Sequence, residues 1–244
     1  MKKKLIFMCC FIMFVLLLVP KTVFALENDF KLISEVTKYY RVETNLYNDT
    51  VSFEISKEEY NAADTSIKLL RSDSTVIETT YKSMTSSIFT NGNFYRYQNV
   101  LNWKKMPSCR SYDIIGIGFL QSVKVKSNTI YFEQYYCHSD GSCYTSKTNY
   151  PQIFVSGAGT SFKLPTGNLT TLRQTFYFDV EKNTNNMIYS QYAYGDYAHA
   201  TSTVSLLNST SYSVVQSGGI FLNSSVANNY DTITNAVASW SGSW

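Results

Sequence analysis

Leu172, Gln174, Phe176, Phe178 and Val180 alternate with Arg173, Thr175, Tyr177, Asp179 and Glu181. Side chains that change face at every residue belong to a half-buried β-strand, so this stretch must lay one row on a core and the other in water. The same period-two signal recurs from about residue 75 onward, in runs divided by turn residues. Ser74 to Thr90 and Asn93 to Lys104 flank Asn91-Gly92, a hairpin dipeptide, and a two-residue turn there would pair Phe89 with Phe94 and Ile88 with Tyr95. Tyr112 to Phe119, Ser122 to Lys126, Thr129 to Cys137 and Tyr144 to Asn149 read as further strands. Ile153 to Val155 and Ser161 to Leu164 are divided by Gly157-Ala158-Gly159, and Met187 to Ala200 is a long Tyr-rich strand. Val204 to Leu207, Tyr212 to Gln216 and Ile233 to Trp240 complete the set. Many antiparallel strands without crossover helices stack most economically as two face-to-face sheets, a jelly-roll-like sandwich, with a partly closed β-barrel as the rival.

The chain has 244 residues, and its start sets the compartment. Lys2, Lys3 and Lys4 precede an apolar run from Leu5 to Val19, and Val23-Phe24-Ala25 ends on a small residue. That run rises only about 22 Å as a helix, short of the roughly 30 Å of hydrocarbon. Residues 1–25 therefore read as a cleaved signal peptide, with an uncleaved anchor as the alternative, and the product is expected outside the cell with no later membrane span. Removing the leader lysines leaves 17 basic against 18 acidic side chains, so net charge gives no argument for a nucleic-acid partner. The charge is polarised, with 6 basic and 11 acidic groups over residues 26–78. Residues 26–244 are expected to form a single β-rich domain, with 26–75 an acidic mixed α/β segment packed on the 76–244 body, because about 50 residues hardly build a core alone. In that segment Phe30, Ile33, Val36 and Tyr40 recur at helical spacing, Val51 to Ile55 reads as a strand, and Ser56 with Glu59 forms a capping box before a helix ending near Ala63.

Cys109, Cys137 and Cys143 remain beyond the leader. Gly141 can take the left-handed position of a three-residue hairpin loop, which sets Cys137 opposite Cys143 and predicts a disulfide between them. A two-residue Asp-Gly turn would put the two on opposite faces.

Trp103-Lys104-Lys105-Met106-Pro107 followed by Arg110-Ser111-Tyr112-Asp113 resembles a segment of uncharacterised secreted proteins of Gram-positive bacteria. The resemblance implies a β-rich exported domain and no activity. Around it, Lys82, Arg96, Lys104, Lys105, Arg110, Lys124 and Lys126 face a single acid, Asp113, between residues 79 and 126. With Tyr95, Tyr97 and Tyr112 interleaved, Tyr95, Arg96, Tyr97, Trp103, Lys104, Lys105, Arg110 and Tyr112 are candidate ligand-binding residues. The plainer account makes Trp103 core and Arg110 with Asp113 a turn-fixing ion pair.

Cys109 lacks a local base, the histidines being His138 and His199, and no transition-metal set or cofactor motif is evident. Asp179 and Glu181 share a strand face at about 7 Å, a distance compatible with a glycosidase pair, although solvated alternation gives the same pattern. Glu133, between Tyr131 and Tyr135, is a further acid/base candidate on a possible saccharide-binding face. Twenty tyrosines suit recognition of glycan, cell-wall polymer or surface protein. The reading is a non-catalytic binding or surface-interaction module. The alternatives are a β-pore-former inserting the 75–104 hairpin and a glycan-active hydrolase.

Overall fold

The computed structural model describes residues 30–45, 50–63, 76–233 and 235–244. The assigned signal peptide, residues 1–25, lies outside the described residues. Leu32–Trp244 makes one compact unit.

The large sheet has the strand order β2-β1-β3-β4-β11-β7-β8, with β6 also on β11. Its strands are β1 (Lys31–Asn45), β2 (Thr50–Ile55), β3 (Val76–Thr90), β4 (Tyr95–Lys105), β6 (Val123–Val125), β7 (Tyr131–His138), β8 (Cys143–Ser146) and β11 (Leu169–Lys182). The second sheet runs β15-β12-β5-β10-β9, with β16 also on β12. It is built from β5 (Tyr112–Gly118), β9 (Tyr150–Phe154), β10 (Gly157–Lys163), β12 (Ser190–Ala200), β15 (Tyr230–Thr232) and β16 (Ala236–Ser241). A small hairpin of β13 (Tyr212–Val214) and β14 (Ile220–Leu222) forms a third sheet. Every recorded ladder is antiparallel, and the sheets do not close into a barrel. The architecture is the sandwich expected from the alternation.

The core lies between the two large sheets. Met84, Ile88, Tyr97, Leu101, Phe176, Phe178 and Phe132 from one side meet Ile115, Ile117, Ala158, Phe162, Tyr197 and Ala193 from the other. In β11 the row Leu172, Gln174, Phe176, Phe178, Val180 is buried, as its period requires. A second, smaller core forms on the far side of the second sheet. There Ile114, Ala198 and Ala200 are covered by Tyr212, Val214 and Ile220 of the β13–β14 hairpin.

Four local expectations change. Residues 31–45 form strand β1, not a helix. Their ladder to β2, from Tyr39↔Ile55 to Thr44↔Thr50, and the Thr37 hydroxyl contact with Thr85 at 2.9 Å hold extended backbone. Tertiary pairing overrides the apolar spacing, and the Val, Ile, Thr and Tyr content suits it. The Asn91-Gly92 hairpin closes with a four-residue loop, pairing Thr90 with Tyr95 and Ile88 with Tyr97. Asn91 Oδ1 accepts the amides of Asn93 and Phe94 at 3.0 and 2.9 Å, and Gly92 sits at φ +89°. The shift is two residues, so each side chain keeps its face. Gly157, Ala158 and Gly159 lie inside β10 rather than between strands, because the β13–β14 hairpin rests on them. A Cβ at Gly157 would fall 2.6 Å from Val214 Cγ1, and one at Gly118 only 2.2 Å from the Val215 carbonyl oxygen. Val204 to Leu207 gives way to a short helix, α2, at Leu206–Ser209, capped by Ser205.

Other local readings hold. Helix α1 (Lys57–Ala62) has Ser56 as its N-cap, accepting the Glu59 amide at 3.0 Å. Cys137 and Cys143 are disulfide-bonded across the turn, with His138 donating its amide to the Ser142 carbonyl at 2.8 Å and Gly141 at φ +87°. A bridge over so short a loop contributes about 2 kcal/mol. Pro151 lies on β9, the edge strand of the second sheet, where a missing N–H costs least.

Candidate functional site

Two places in the sandwich collect chemistry-bearing side chains, one between the sheets and one on an outer face.

Between the sheets, β3 places Lys82 on the same row as Met84, Ser86 and Ile88, all buried. β5 places Asp113 on the row of Ile115 and Ile117, and the β12–β15 register sets His199 opposite Asp231. Lys82 is wholly enclosed, and its Nζ stands 3.6 Å from Asp231 Oδ2, a charge contact too long for a normal hydrogen bond. That Nζ has no hydrogen-bond partner, while the Trp103 and Tyr197 rings lie 5.1 and 5.2 Å from it. Burial pulls the lysine below its ordinary range, against the opposing pull of the Asp231 and Asp113 charges. Asp113 accepts from the Tyr197 hydroxyl and from the Ala200 amide at 2.9 Å, and lies 3.0 Å from His199 Nδ1. Burial, then the Asp113 charge, push the Tyr197 phenol far above its usual range, so it stays a donor. Ser52 of β2 donates to Asp231 Oδ2. Trp103 packs edge-on against His199 at 5.1 Å and closes the cluster.

On the outer face of the large sheet, the Tyr131 ring stacks on Tyr177 at 4.7 Å and 19°. The Arg96 guanidinium lies 4.3 Å over Tyr177, and the Lys147 ammonium 4.9 Å from Tyr131. Arg96 Nε donates to Asp179 Oδ1 at 2.8 Å, Glu133 accepts from the Tyr131 hydroxyl, and Tyr135 stands exposed on the same row.

The structure distributes the sequence candidates. Tyr95, Tyr97 and Trp103 point into the core, and burial raises the Tyr97 phenol far above its usual range. Arg96 belongs to the outer face just described. Lys104 caps the end of α1, donating to the Tyr60 and Asn61 carbonyls at 2.6 and 3.0 Å, while Lys105 is exposed. Arg110 does not pair directly with Asp113. It donates to the Pro107 and Pro165 carbonyls at 2.6 and 3.1 Å, because Asp113 turns inward toward Tyr197 and His199. Tyr112 is half-buried and packs against Tyr150 at 6.4 Å. Asp179 and Glu181 do share a face, but Arg96 engages the first and Lys124, at 3.2 Å, the second. Cys109 is a free, half-buried thiol that burial pushes upward. The β3–β4 hairpin sits between β1 and β11, and insertion elsewhere would require breaking both ladders.

Nothing in the local sequence marks Tyr197, Asp231 and Ser52, His199 is legible there only as a histidine far from Cys109, and Lys82, expected in a basic patch, is buried instead. The available signal was parity: Lys82 and Asp113 interrupt rows that are otherwise apolar. Among the described residues, no group of three or more His, Cys, Asp or Glu is arranged to hold a metal ion, and no helix is long and apolar enough to cross a membrane.

The fold defines an antiparallel two-sheet β-sandwich. No family model matches the sequence, and no curated protein matches it. Among solved structures, the pilus backbone of Streptococcus pneumoniae aligns with a TM-score of 0.35 at 8% identity, over 62% of this chain and 41% of that one. The collagen-binding domain of a surface protein of Erysipelothrix rhusiopathiae aligns at 0.30 and 6%, over 68% and 67%. The distant structural neighbours are thus surface proteins of Gram-positive bacteria, and the matched part spans less than half of the pilus protein.

Proposed function

We propose that the chain is an exported, non-catalytic β-sandwich module that docks on a glycan or cell-wall polymer through the outer face of its large sheet. The observation that carries this is the stacked Tyr131–Tyr177 pair, flanked by Arg96 and Lys147 and bordered by Glu133 and Tyr135. Rings already stacked on rigid strands lose little entropy on binding, and a row of ring edges, hydroxyls and flanking charges suits the hydroxyls of a sugar. Asp179, Glu181 and Glu133 each answer a neighbouring side chain, which fits recognition better than acid/base work.

The test is retention on insoluble wall polysaccharide and on immobilised glycans, for the native chain and for Tyr131→Ala with Tyr177→Ala. Loss of the pair is expected to weaken binding about fivefold, since an aromatic contact is worth about 1 kcal/mol beyond its area. Equal retention of both proteins, or no retention of the native chain on any surface, would refute the reading.

A further inference from the structure

The enclosed lysine poses a physical problem of its own, independent of the outer face. An ammonium carries three N–H donors. Buried with a carboxylate, it is tolerated only where good geometry and further hydrogen bonds answer those donors. Lys82 has neither: its Nζ is without a hydrogen-bond partner, and Asp231 Oδ2 is 3.6 Å away. A dry interior favours the neutral pair, amine plus carboxylic acid, over the ion pair. An amine held against a carboxyl group, away from water, is set up for condensation.

We propose that Lys82 and Asp231 condense in the folded chain to an intramolecular amide, cross-linking β3 of the large sheet to β15 of the second, with Asp113 as the proton carrier. The proton of the Lys82 ammonium passes to the Asp231 carboxylate, leaving both neutral. Lys82 Nζ attacks Asp231 Cγ, Asp113 takes the proton released from nitrogen and returns it to the departing hydroxyl, and water leaves. One C–N bond forms and one C–O bond breaks. Nothing is oxidised or reduced, and no co-reactant is needed.

Each neighbour has a part in this. Ser52 donates to Asp231 Oδ2 and polarises the carboxyl group under attack. Trp103 and Tyr197 place their rings 5.1 and 5.2 Å from Nζ and keep water out, which suppresses the reverse hydrolysis. Asp113 is fixed by Tyr197, by the Ala200 amide and by His199, the residue paired with Asp231 across the β12–β15 ladder, so its carboxylate is held at one orientation within reach of the Lys82 charge. The fold supplies the encounter: two groups far apart in sequence are placed in contact on neighbouring sheets, the arrangement that replaces a bimolecular collision with a standing one.

The experiment is intact-mass spectrometry of the purified full chain after reduction of its disulfide, followed by peptide fragmentation. The native protein is expected to be lighter than its sequence by one water, about 18 Da. The deficit is expected in one branched peptide joining the Lys82 and Asp231 segments. Lys82→Ala and Asp231→Ala are expected at full mass. Asp113→Ala, with folding checked by circular dichroism, is expected to keep both side chains unlinked. A native chain at full mass overturns the proposal, and so does a water loss that maps to Asp140-Gly141 or persists in Lys82→Ala. A folded Asp113→Ala chain that cross-links as completely as the native one removes the proton-carrier role.

Discussion

Asp196 gives the sharpest test of the energetics. It lies on β12 beneath the β13–β14 hairpin, 3% exposed, and accepts the Tyr197 amide at 2.7 Å and the Ile220 amide at 2.5 Å. Those two bonds favour its charged form, but burial outweighs them and raises the carboxyl to about 7. Unfolded, the same group titrates near 4. Between about pH 4 and pH 7 the folded chain therefore holds a proton that the unfolded chain has lost. Stability must fall as pH rises through that window, the reverse of a salt-bridged aspartate. Three units at about 1.4 kcal/mol each set a ceiling of about 4 kcal/mol, a large share of a typical 5–15 kcal/mol. Local opening of the hairpin, which would hydrate the carboxylate, caps the measured loss below that. The assay is urea unfolding from pH 4.5 to 8 for the native chain and for Asp196→Asn. The native stability should decline toward neutral pH by about 2–4 kcal/mol more than that of the variant. Parallel pH profiles for the two proteins would refute the reasoning.

Two further substitutions probe how the layers are joined. Gly118→Ala drives a methyl into the Val215 carbonyl, where the Cβ would stand 2.2 Å from oxygen; thermal unfolding should show a drop of about 5 °C, for about 2 kcal/mol of overpacking. Asn99 spans the sandwich, donating from β4 to the Gly116 and Asp196 carbonyls at 3.2 and 3.1 Å. Asn99→Ala leaves both acceptors dry and should cost about 2–4 kcal/mol in urea unfolding, whereas a cost below 0.5 kcal/mol would mean that water replaces the amide.

How much of this was legible in the sequence depends on the range over which each signal acts. The β11 alternation, the Ser56 cap and the Cys137–Cys143 turn are local, and their geometry follows from residues within one or two turns of each other. β1 was missed because its four apolar residues fit a helical spacing, and only the partners β2 and β3 decide against it. The glycines of β10 looked like punctuation because their reason for being small, the Val214 side chain, arrives from some fifty residues further along and leaves no local trace. The inter-sheet cluster was hidden for a related reason. Lys82 beside Arg96 and Lys104 reads as surface charge, and only the parity shared with Met84 and Ile88 turns it inward. Its partners at 197, 199 and 231 belong to strands whose order in the second sheet no pairwise pattern announces.

One margin of the second sheet has a bearing on how copies of the chain meet one another. β9 ends its row of strands and carries Pro151, and Ile153 within it and Val155 just past its end stand open to solvent at 59% and 79%. Bare greasy borders of this kind invite neighbouring molecules to zip on, but proline withholds the amide that a newcomer's backbone would need. The imino ring thus works as a gatekeeper against fibrillar growth of crowded copies along that side.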